Sequence, residues 1–107
     1  MATWSPITES EMRRLLDEQL ASCCDAEREV YARVRTPLRH VPFQRGPTVE
    51  SVFSLAQHGG DLLIFDDVEY GFEWCRPDSD GVIRSCGCSQ AGIQARLYEL
   101  LQNERTS

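Results

Sequence analysis

The side chains with chemical reach are five cysteines, two histidines and a run of carboxylates. Cys23 and Cys24 are adjacent, and a single residue separates Cys86 from Cys88. Both spacings are tighter than the Cys-x2-Cys pairs that grip zinc. An odd number of cysteines argues against a disulfide framework, so the thiols read first as reduced, small apolar residues. The metal alternative is Cys75, Cys86 and Cys88 completed by His40 or His58. A catalytic Cys–His pair would need a motif that aims an imidazole at a thiol, and neither histidine lies in one. Asp66 and Asp67 are neighbours; on a strand they point to opposite faces, and in a turn they are solvated. Neither arrangement makes an acid–base pair. Asp78-Ser79-Asp80-Gly81 opens like a calcium loop, but Gly87 stands where the bidentate glutamate should be. No glycine-rich phosphate loop accompanies these groups. The expectation is a chain without catalytic residues and without a cofactor.

What the carboxylates share is location. Asp61, Asp66, Asp67, Glu69, Glu73, Asp78 and Asp80 fall in one twenty-residue window against Arg76 alone, and that window holds the whole net charge of −6. The remaining acids and arginines balance, and the chain has no lysine. A local potential of this sign repels nucleic acid and steers a basic partner. The window also has a plain reading, because aspartates favour turns and half-buried strands show charge to water.

The elements that must position these groups follow from periodicity. Thr8 and Glu11 fit a capping box, and Met12, Leu16, Leu20 and Cys23 follow at helical spacing, with Leu15 widening the stripe. A helix is predicted to about residue 27. Val30, Ala32 and Val34 alternate with Tyr31, Arg33 and Arg35, which reads as a strand. Pro37 and Pro42 make the next stretch an edge strand or an extended connection. Two β-favouring runs follow, Val49 to Gln57 and Leu62 to Phe65, joined through Gly59-Gly60. From Val68 to Trp74, Val68, Tyr70, Phe72 and Trp74 alternate with Glu69, Gly71, Glu73 and Cys75. That pattern predicts a strand with one core face and one acidic face. Asp78 to Gly81 should turn the chain so that Val82-Ile83 pairs antiparallel with that strand. Ser89 can cap a last helix whose stripe is Ile93, Leu97, Leu100 and Leu101.

This order predicts a single α+β domain in two layers, with an antiparallel sheet of four to five strands and an N-terminal and a C-terminal helix packed on one face. The apolar fraction of 41% is ordinary for a soluble globule, and no apolar run approaches the roughly 20 residues of a membrane span. The first residues have neither a basic nor an apolar signal region, so a cytoplasmic protein is expected.

Val52-Phe53, Asp66-Asp67-Val68-Glu69-Tyr70-Gly71-Phe72, Asp80-Gly81-Val82-Ile83 and Cys88-Ser89-Gln90 form an ordered series of short motifs. Together they resemble small bacterial immunity proteins of type VI secretion and related toxin systems, over about residues 49–101. Leu55-Ala56 departs from the Val-Ala of that pattern. The resemblance implies a protein that binds and neutralises a cognate toxin. The residues expected to meet that partner are Asp66, Asp67, Glu69 and Glu73, with Tyr70 or Trp74 as a rim anchor. A homodimer joined through an edge strand, and a thiol- or metal-dependent enzyme, are the alternatives.

Overall fold

Two short helices open the chain where one long helix is predicted. The computed structural model describes residues 6–84, 86 and 90–106. The Thr8 hydroxyl accepts from the Glu11 N–H at 3.2 Å, and the Glu11 carboxylate accepts from the Thr8 N–H at 2.9 Å. This reciprocal cap starts α1 (Glu9–Ala21), which buries Met12 and Leu15. The chain then breaks at 22–24. Glu27, itself buried, accepts from the Cys24 N–H at 2.9 Å and starts α2 (Asp25–Val34). Val30, Tyr31 and Val34 form its buried stripe. The strand predicted there is therefore helix. Six alternating residues cannot exclude an i, i+4 pair, and Val30 and Val34 are such a pair.

The sheet is an antiparallel meander of β1 (Arg35–Arg45), β2 (Thr48–His58), β3 (Asp61–Asp66) and β4 (Gly71–Cys75), in that spatial order. Gly46 and Gly59 turn its first two hairpins with φ of 57° and 61°, values that a side chain would strain. Pro37 and Pro42 lie on β1, an edge strand, as proline requires. β4 begins at Gly71, so Val68, Glu69 and Tyr70 lie in a turn and not on a strand. The helix α3 (Ile93–Thr106) closes the chain, and the predicted cap at Ser89 lies outside the described residues.

The two faces of the sheet are covered differently. On one face, Phe53, Leu55, Leu63, Phe65 and Phe72 pack against Met12, Leu15, Val30, Tyr31, Ile93, Leu97 and Leu100 from the three helices. That is the predicted two-layer α+β arrangement. On the other, Val41, Phe43, Val52, Leu62 and Ile64 are covered by Ile83 and by Cys75 with Cys86. Ile83 does not pair with the strand before it. It forms a parallel bridge to Phe43 on β1, with the Gln44 N–H donating to Ile83 O at 2.8 Å and the Ile83 N–H donating to Pro42 O at 2.9 Å. The chain after β4 thus crosses the second face to the far edge, where an open backbone offers both bonds.

Cys75 and Cys86 are joined in a disulfide with Cα atoms 5.4 Å apart. This corrects the expectation of reduced thiols and removes two ligands from the metal alternative. Parity of the count could not reveal one pair among five. A bridge closing a loop of this size stabilises by about 3 kcal/mol in the loop-entropy description. Cys23 is buried and Cys24 exposed, both as thiols.

Candidate docking site

The acidic window is largely consumed by arginines. Asp61 pairs with Arg76 at 3.0 Å, Asp66 with Arg45 at 2.7 Å and Glu73 with Arg96 at 2.9 Å, while Arg84 holds both Asp78 and Asp80. The window's excess charge is a property of the sequence segment; in space, arginines from β1 and α3 return to it.

Asp66 shows how far this goes. It ends β3 and is only 2% exposed. One of its oxygens, Oδ1, accepts from Arg45 and from the backbone N–H groups of Val68 at 3.0 Å and Glu69 at 3.3 Å. A buried carboxylate needs such partners, and here they wrap the chain into the turn that follows. Arg45 also pairs with Glu50 and lies over the Phe43 ring, 4.8 Å from its centroid. Asp67 accepts from the Ile7 N–H at 3.0 Å and fastens the segment ahead of α1.

Glu73 sits on β4 with its carboxylate and the Arg96 guanidinium both mostly buried. Burial pushes its carboxyl up and Arg96 opposes the shift, while Glu99 and Asp66 add to it. Arg96 also donates from Nε to Phe72 O at 2.8 Å, so one guanidinium ties α3 to the edge of the sheet. The Trp74 indole N–H donates to Arg96 O at 3.2 Å, and its ring packs against the helix-side core. Asp66, Glu73 and Trp74 are thus engaged inside the fold. Asp67, Glu69 and Tyr70 come together in the turn between β3 and β4.

Tyr70 is the outlier of the backbone. It has φ of 60°, the left-handed region, and is the one non-glycine residue there among those described. It is 60% exposed, and its ring edge meets Phe65 at 5.2 Å. The pattern that placed Val68 and Tyr70 in the core matched strand period, but the Asp66 bonds to Val68 and Glu69 hold residues 67–70 in a turn and the strand starts only at Gly71. Val68 is exposed as well.

Sequence reasoning missed what surrounds this turn. A groove of about 390 Å³ runs beside it, lined by Ile7, Glu11, Arg14, Leu15, Glu18, Asp67 and Tyr70 among others. Glu11, Arg14, Leu15 and Glu18 are spaced to share one face of α1, a signal that was present in the sequence. What was missing was the knowledge that the β3–β4 turn lies beside that face. Register adds a third part. Phe53 pairs with Phe65, so the start of β2 and the end of β3 share one end of the sheet, and Arg45 spans both. Exposed Val49 therefore lies at the same end as Val68 and Tyr70. The turn thus presents exposed Val68 and Tyr70 beside a groove that carries Glu11, Glu18 and Asp67, and Asp66 holds its backbone from beneath. No helix among the described residues is long and apolar enough to cross a membrane.

No protein-family model matches the chain, and no curated protein or solved structure matches it.

Proposed function

We propose that the chain is an immunity-type inhibitor that binds a basic protein toxin through the β3–β4 turn and the groove beside it. The observation that carries this reading is Tyr70, an exposed aromatic held in a left-handed conformation. A non-glycine residue there costs about 1–2 kcal/mol, and glycine would remove that cost. Strain on an exposed side chain, maintained by a buried ion pair below it, fits a contact residue better than a stability residue. Tyrosine brings a large rigid surface with a polar tip, the chemistry of an interface anchor. Glu11, Glu18, Asp67 and Glu69 border it and would speed encounter with a basic active-site cleft. The inhibitor part of the proposal draws on the resemblance over residues 49–101.

A homodimer through a sheet edge has less to work with. β1 is already bonded to Ile83 around Pro42 and Gln44, and the Phe72 N–H of β4 donates to Ala91 O at 2.9 Å.

The test uses the product of the neighbouring reading frame as the probe. Co-expression with this chain should rescue growth and yield a complex. Tyr70→Gly should keep or raise the melting temperature and weaken that complex by at least about 30-fold, the scale of an anchor residue. Wild-type affinity in Tyr70→Gly rejects the site. A neighbour that is neither toxic nor bound rejects the immunity function.

A further inference from the structure

We infer that residues 76–84, closed by Cys86, form a thiol-dependent cover over the second face of the sheet. Within this stretch most bonds are internal: the Asp78 N–H donates to Val82 O, the Gly81 N–H to Asp78 O, the Val82 N–H to Asp80, and Arg84 pairs with Asp78 and Asp80. Such a knot can move as a body without breaking its own contacts. Beyond Arg76, which pairs with Asp61 beside β4, the described attachments to the sheet are few. They are Ile83 with its two backbone bonds to β1, the Arg84 bond to Gln44 at 3.0 Å, and the disulfide. Beneath lie Val41, Phe43, Val52, Leu62 and Ile64, an apolar sheet face over which no helix packs among the described residues.

The disulfide is accessible from one side. Cys75 is buried at 3% exposure, whereas Cys86 is partly open. A dithiol reductant attacks Cys86 Sγ as its thiolate, the Cys75–Cys86 bond breaks, and Cys75 leaves and takes up a proton. The second thiol of the reductant then displaces Cys86 and leaves as the reductant's own disulfide. Two electrons pass to the cysteine pair, and two protons end on Cys75 and Cys86. Among the described contacts the cover is then held by the Arg76–Asp61 pair, Ile83 and Arg84, and the loop regains the freedom that the covalent closure removed. An oxidising compartment keeps the face closed, and a thiol-buffered one opens it.

The experiment compares the full chain before and after dithiothreitol. Two further thiols should titrate after reduction. Amide exchange at Ile83 and Gln44, the donors of the bridge to β1, should quicken by about 100-fold. The β2–β3 ladder and α3 should keep their protection. A Cys75→Ala/Cys86→Ala chain should match the reduced protein, and if it fails to fold the reduced wild type decides. Unchanged exchange at Ile83 and Gln44 overturns the inference. So does loss of protection throughout the chain, which would make the bridge a global staple, and so does the release of no thiols.

Discussion

The two faces of the sheet solve one problem with different materials. Three helices cover the first with side chains at regular spacing, from Met12 and Leu15 to Leu97 and Leu100. A stretch of about ten residues covers the second, placing one side chain, Ile83, against the apolar surface and relying on a covalent bond and arginine pairs for the rest. The helix layer gains its stability from burial along whole stripes, which offsets the cost of ordering it. The crossing stretch buries too little to do the same. Regular elements thus carry the global fold, while the second face is stabilised locally.

The largest expected effect breaks the comparison if it fails. Phe65 is fully buried on the helix side, 5.0 Å from the Phe72 ring. Phe65→Ala should cost about 3–5 kcal/mol in global unfolding by denaturant. Ile83 is just as buried. Ile83→Ala should nevertheless cost about 2 kcal/mol or less globally, at the low end for such a truncation, because its segment can detach while the core stays folded. Equal costs would mean that both faces unfold as one unit.

Asp66 joins the two regions and comes next. It lies on the second face, yet its bonds to Val68 and Glu69 shape the turn that sets Tyr70 against Phe65 on the first. Asp66→Ala removes the ion pair with Arg45 and the carboxylate oxygen that accepts from two backbone amides, and should cost about 2–4 kcal/mol. Asp66→Asn keeps an acceptor for the amides and loses the charge attraction, so it should cost less. If both substitutions cost the same, the turn is held by the Arg45 pair alone. Near-wild-type melting in both would show that the turn needs no anchor beneath it.

What was legible in the sequence follows the same division. The helix-side core was written in period: Ile93, Leu97 and Leu100 on α3, Met12 and Leu15 on α1, and the capping box of α1 all sit where spacing put them. Local signals failed where a distant residue decides. Tyr70 fits strand alternation, and only the carboxylate of Asp66 turns the chain there. Glu73 reads as exposed charge until Arg96, on another element, buries it. Ile83 was expected beside the strand before it and lies instead against β1, since nothing nearby encodes a partner forty residues earlier. The acidic window misled for that reason: its charge was counted along the chain, and its arginines arrive through the fold.

Acid titration separates the regions most gently. Arg84, and then the Val82 N–H, hold Asp80 down to about 2 from an ordinary value of 3.8. Between those values the unfolded chain binds more protons than the folded one, so this contribution is complete above about pH 4 and is lost as pH falls toward 2. Both partners are exposed, and the effect on global stability should be small. Its local effect should appear as faster exchange at Ile83 and Gln44 below pH 4, after correction for intrinsic rates. Glu73 has the opposite sign. Burial raises its carboxyl, so the folded chain holds that proton to higher pH than the unfolded one, and the site gains stability as pH falls toward the ordinary carboxyl range. In Asp80→Asn the acid response of the crossing stretch should vanish while the Glu73 response persists. If exchange at Ile83 still quickens below pH 4 in that variant, the Arg84 pairs do not hold the second face closed, and the disulfide and Ile83 carry it without them.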